Sequence, residues 1–131
     1  MKLLLDTHIW LWSLLEPERL SSRVSRALQA AGSELWLSPV SLWELSLLVD
    51  RGRVKLSPDY QRWVEQSLET VPMLEAPLTF DVAKETSRVT LAHRDPADHF
   101  LVASARIFGL RLVTADSRII SARTCKVLAN E

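Results

Sequence analysis

Asp6 follows the apolar run LLL, Glu44 sits inside the apolar segment SLWELSLLV, Asp95 and Asp98 share the stretch HRDPADHF, and Asp116 follows LVTA. An ionised carboxylate among apolar residues is costly unless it takes up a proton, finds a partner or binds a cation. Taken singly, each acid has an ordinary explanation. Asp6 and Asp116 suit turns or helix N-caps, and Glu44 fits a narrow solvated stripe with Ser41, Leu48 and Arg51. Asp95 before Pro96 fits an N-cap, and the helix dipole favours Asp98 one turn in. Taken together, two strand-end aspartates, an acid on an apolar helix and one at a helix start can meet in a single crevice. There they would repel one another, and divalent cations relieve that repulsion. Oxygen ligands without a histidine or cysteine cluster favour magnesium or manganese. Such a site suits phosphodiester hydrolysis, in which metal ions ~3.5–4 Å apart activate water and stabilise the leaving oxygen.

The elements that must position these acids follow from the apolar pattern. KLLLD reads as a short strand whose consecutive leucines suit a parallel strand covered on both faces. THIWLWSLL is helical and stops before Glu16 and Pro17; SSRVSRALQAAG begins on serine caps and ends on Gly32 as a second helix. LWL between Glu34 and Ser38 is another strand, and a helix runs from about Pro39 to Arg51, with proline in front and glycine behind. A further helix begins near Pro58, VPMLEAP is strand-like, and TFDVAKETSRV is helical again. DPADHFLVASARIFG has the clearest helical pattern and RLVTAD after it is a strand; a short turn from Ser117 and the strand-like CKVLA close the chain. This alternation predicts an α/β fold, a mostly parallel central sheet sandwiched by helices. Ligands of such sheets bind outside the carboxyl ends of the strands, where Asp6 and Asp116 fall.

At 131 residues the chain is expected to form a single domain over residues 1–131 with a sizeable core. Hydrophobic residues at 47% and charged ones at 24% describe an ordinary globular protein. Sixteen basic residues balance sixteen acidic ones, so a polyanion must be bound through a local arginine patch or metal ions. A lone cysteine, Cys125, makes no internal disulfide and fits a reducing cytoplasm. The opening MKLLLDTHIWLWSLL resembles a secretory leader superficially, but Asp6 and His8 interrupt it and no cleavage site follows. It is also shorter than the ~20 apolar residues of a membrane span.

LLLDTHIWLW, SPVSLWEL, HRDPADHFLVASA and LRLVTADSRI, in that order and spread from end to end of the chain, resemble the PIN domain, specifically the VapC-type toxins of bacterial toxin–antitoxin pairs. The resemblance implies a magnesium- or manganese-dependent endoribonuclease acting on RNA, neutralised by a cognate antitoxin protein and commonly homodimeric. By position the family's acidic set falls on Asp6, Glu44, Asp98 and Asp116, as metal ligands and catalytic groups. Asp98 rather than Asp95 aligns with the family aspartate ahead of the apolar run. Asp95, Thr114, Thr7 and His99 are possible supporting residues. Many relatives carry an aromatic residue, aspartate and arginine after the proline; Ala97, Asp98 and His99 stand here, and His99 is left to replace part of the arginine's contact.

Two other readings compete. A binding module would keep the fold and use the acidic pocket for a partner, with zero net charge and five tryptophans in its favour. A receiver- or phosphatase-like domain would use a strand-end aspartate as phosphoacceptor; His8 stands where the phosphatases have a second aspartate. His8 and His93 read as packed or capping side chains. Most tryptophans read as core, and Arg51, Arg53, Arg94, Arg106, Arg118 and Arg123 as candidates for an RNA-facing rim.

Overall fold

The structure, a computed structural model, describes residues 1–131. Five parallel strands form one sheet: β1 (Lys2–Leu5), β2 (Glu34–Leu37), β3 (Leu74–Glu75), β4 (Arg111–Thr114) and β5 (Val127–Ala129), in spatial order β3-β2-β1-β4-β5. Seven helices connect and cover them: α1 (Thr7–Leu15), α2 (Ser22–Gln29), α3 (Pro39–Asp50), α4 (Tyr60–Thr70), α5 (Phe80–Glu85), α6 (Pro96–Phe108) and α7 (Ser117–Ala122). No helix is long and apolar enough to cross a membrane.

The leucines of β1 decide the layering. Successive side chains of a strand point to opposite faces, so Leu4 enters a core with Leu101, Val102, Ala105 and Leu112 under α6. Leu3 and Leu5 enter the other core, with Ile9 and Trp10 of α1, Val24 of α2 and Val113. All three leucines are fully buried. The register Leu3↔Leu35 and Leu5↔Val113 puts β1 between β2 and β4. After β3 the chain returns across the sheet to lay β4 on the free side of β1. The pair β1/β4 is therefore the topological switch point, where open parallel sheets leave a crevice beyond their carboxyl ends.

Helix α3 belongs to both layers: Val40 packs in the core under α6 and Leu45 in the core under α1. Sequence patterning of this helix shows no polar face because neighbouring elements cover it from two sides. Ser41 is fully buried and only Arg51, just past the helix, is exposed, so the solvated stripe of Ser41, Glu44, Leu48 and Arg51 does not exist.

Local boundaries differ from the sequence pattern in a few places. Helix α2 ends at Gln29 because Ala30 turns to an extended conformation, leaving Gly32 in the turn beyond rather than at the helix end. Helix α4 starts at Tyr60, after the Asp59 side chain accepts the Arg62 N–H at 2.9 Å. Strand β3 is only two residues long; Pro72 and Pro77 flank it and cannot donate to a ladder. The segment after Thr79 divides into α5 and a 3-10 turn at Thr86–Arg88, and the turn from Ser117 is a helix of six residues. Gly109 ends α6 at φ 65°, a left-handed position that glycine adopts without strain.

Candidate active site

Beyond the carboxyl ends of β1 and β4 lies a cleft of about 600 Å³ whose walls include Asp6, Glu44, Asp95, Asp98 and Asp116. The switch point, the start of α6 and the two-sided helix α3 each deliver part of this set. All four acids expected as a group on sequence grounds are here, and Asp95 joins them.

Asp6 stands at the N-cap position of α1 but makes no side-chain capping bond. Its Oδ2 instead accepts the Thr114 hydroxyl at 2.6 Å, and Thr114 Oγ1 also accepts the Asp116 N–H at 3.0 Å. One fully buried hydroxyl thus joins the ends of both central strands. Burial pushes the Asp6 carboxyl up to about 6, against the lowering effect of Thr114 and with a further rise from Asp98.

Glu44 is half-buried and accepts a hydrogen bond from Thr7 on α1. Thr7 Oγ1 also lies 2.9 Å from Ser41 Oγ. A hydroxyl has one proton to give, and an ionised Glu44 takes it, leaving Ser41 to donate to Thr7. Burial first, and Asp6, Asp95 and Asp98 after it, raise Glu44 to about 7, while Thr7 opposes them. Ser41 therefore supports the acid it was expected to accompany in solvent.

At the start of α6 the two aspartates divide their tasks. Asp95 Oδ1 accepts the Ala97 N–H at 3.0 Å and caps the helix. Asp98, 6% exposed, makes no such bond; its Oδ2 meets His93 Nε2 at 2.6 Å. Burial raises the Asp98 carboxyl, His93 opposes that, and Asp95 and Asp116 add to it. His93 Nδ1 is buried with no hydrogen-bond partner. On sequence alone His93 reads as a packed or capping side chain; its contact with Asp98 depends on how the loop between them folds.

Asp116 caps α7 through the Arg118 N–H at 2.9 Å, and the Arg118 side chain closes a two-point pair on it, Nε to Oδ1 at 3.1 Å and Nη2 to Oδ2 at 2.9 Å. This partner holds the Asp116 carboxyl below its ordinary value. Arg118 and Arg19, not His99, bring positive charge to the cleft: His99 Nδ1 is 3.0 Å from the Asp95 carbonyl oxygen and His99 is not part of the cleft wall.

The donor set fits a hard divalent cation. His93, Asp98 and Asp116 offer ligand atoms within 4.8 Å of one another, and Asp6 and Glu44 each have one oxygen tied to a hydroxyl with the other left for a ligand. Five carboxylates against two arginines, Arg19 and Arg118, line the cleft, and three of the acids are raised. That is the signature of a site with unmet demand for positive charge. Carboxylate oxygens dominate, with one imidazole at the margin, a donor set for a divalent cation.

The fold and this acidic crevice define an α/β domain with a carboxylate site at its switch point, and a family model described as PIN domain matches residues 3–124. The chain belongs to the PIN-domain family. It is 36% identical to ribonuclease VapC22 of Mycobacterium tuberculosis over 121 residues, 92% of this chain and 91% of that protein. Its fold is similar to VapBC2 from Rickettsia felis, solved bound to a promoter DNA fragment, with a TM-score of 0.74, 14% identity and 100% of both chains covered. It is similar too to the DNA-bound VapBC of Salmonella typhimurium, with a TM-score of 0.70, 20% identity and 98% of each chain covered.

Proposed function

We propose that this chain is a VapC-type toxin, an endoribonuclease that hydrolyses RNA phosphodiester bonds with magnesium or manganese held by Asp6, Glu44, Asp98 and Asp116. In this reading residues 1–131 act as one domain in the cytoplasm, as a homodimer held in check by a cognate antitoxin protein. The convergence of Asp6, Glu44 and Asp98, all raised by burial, in one cleft is the observation that carries it. A site built only to bind a protein has no need of three acids raised by burial around open space. The 36% identity to a protein named as a ribonuclease supports the same reading.

When bound, the cation supplies the positive charge that holds a phosphodiester and makes an attacking water acidic. The chain's own residues do the positioning. Thr114 fixes one oxygen of Asp6 and Thr7 one oxygen of Glu44, so each free oxygen faces the cleft in a defined direction. His93 holds one oxygen of Asp98 in the same way. Arg118 keeps Asp116 ionised and places a guanidinium where substrate phosphate charge arrives. Purified chain should cut RNA when magnesium or manganese is supplied and stop in EDTA; undiminished cleavage in EDTA sinks the proposal.

A further inference from the structure

The acidic cleft does not end at its own rim. A second groove of about 490 Å³ adjoins it, and His8, Trp12 and Arg19 form walls of both. His8, Leu11, Trp12 and Leu15 fall at helical spacing on one face of α1, and all four line this groove, so the helix face runs as a floor from the acids outward. Seven residues at 1.5 Å each carry that floor ~10 Å along.

Its electrostatics are the reverse of the cleft's. Arg19, Arg53 and Lys55 bring three positive charges against one negative, Glu16, in a chain whose formal net charge is zero. Arg53 and Lys55 are exposed and have no ion-pair partner. The Arg19 guanidinium lies 4.2 Å from the centre of the Trp12 ring and is held by Glu16 at 3.2 Å, while His8 meets Trp12 edge-on with ring centres 5.9 Å apart. A planar guanidinium already stacked on an indole presents a flat cationic face, a platform on which a nucleobase stacks in any sequence.

We infer that this groove is a nucleotide subsite: single-stranded RNA leaving the acidic cleft stacks a base on the Arg19–Trp12 pair and sets its phosphates beside Arg53 and Lys55. The inference rests on the ribonuclease reading for its substrate and assigns that substrate a path. Charge decides for a polyanion over a protein segment, since an apolar floor alone would serve either, and the groove that carries the unpaired Arg53 and Lys55 shares His8, Trp12 and Arg19 with the cleft wall.

The test measures affinity of the full chain for fluorescently labelled single-stranded RNA by anisotropy in calcium, across a salt series, with cleavage in magnesium or manganese followed separately. Arg53→Glu with Lys55→Glu, both at exposed positions, should weaken RNA binding at least tenfold. It should also flatten the slope of log affinity on log salt by about 1.4, two phosphate contacts at ~0.7 each. Trp12→Leu should weaken binding about tenfold through lost stacking. Wild-type affinity and slope in the double variant overturn the subsite, whatever becomes of Trp12. Intact RNA affinity with a lost complex to a partner protein overturns it too and gives the groove to that protein. The parent reading fails separately: wild-type chain that binds RNA but cleaves none in either metal.

Discussion

At the scale of single residues, burial lifts three of the cleft acids, Asp6, Glu44 and Asp98, above their ordinary values. Because the folded carboxyls of Asp6 and Glu44 lie near 6 and 7, above their ordinary 3.8 and 4.5, the fold without metal binds protons more tightly than the unfolded chain. That contribution to stability is complete below about pH 4 and is lost as pH rises through 6 to 7. Urea denaturation of metal-free protein should accordingly show stability declining from pH 5 to pH 8. Metal competes with those protons, so manganese affinity by calorimetry should climb across the same interval. Asp6→Asn should abolish metal-dependent cleavage and still raise the melting temperature of metal-free protein at pH 8, because it removes a buried charge while its amide oxygen accepts the Thr114 hydroxyl. A lower melting temperature would show that the Asp6 charge is compensated within the chain. Thr114→Val should weaken metal binding by about 10- to 100-fold, the usual effect of releasing a ligand from its supporting hydrogen bond.

At the scale of elements, the start of α6 gives its two aspartates different partners: Asp95 caps the helix, and Asp98 meets His93 at the cleft. Asp95→Ala should cost about 1 kcal/mol in chemical denaturation through the lost cap, whereas Asp95→Asn, an equally good cap, should stay within a few tenths. Leu101→Ala, in the core below, should cost about 2–5 kcal/mol. This division was legible in the sequence, because Asp-Pro followed by an acid one turn in has a single good geometry. The central strands were legible too: KLLL and RLVT are short apolar runs with an acid at or near the end. What was not legible was the burial and pairing of individual side chains that depend on how elements pack. The burial of Ser41 depends on α3 being covered from two sides, which no periodicity in its own residues records. The pairing of Arg118 with Asp116 depends on the turn from β4 into α7, and that of His93 with Asp98 on how the loop before α6 folds back. The brevity of β3 follows from its flanking prolines, a signal present in VPMLEAP and outweighed by its apolar content.

At the scale of the whole molecule, the charge balance is local rather than global. A neutral chain carries an acidic cleft and a cationic groove side by side, so RNA binding should need divalent metal at one and low salt at the other. Metal should also stabilise the fold: at a concentration of 100 times its dissociation constant, binding adds about 2.7 kcal/mol, a rise of several degrees in melting temperature that EDTA reverses. The sheet order β3-β2-β1-β4-β5 makes this arrangement possible, since only the switch point brings Asp6 and Asp116 to neighbouring strand ends. With no net charge overall, the proposed RNA substrate would have to be recognised by local surfaces around the cleft. The most direct test of the central claim is cleavage of a labelled single-stranded RNA by the wild-type chain and by Asp98→Asn, each with manganese and with EDTA. The account predicts cleavage only by the wild type and only with the metal. Equal cleavage by Asp98→Asn, folded and metal-loaded, would contradict it.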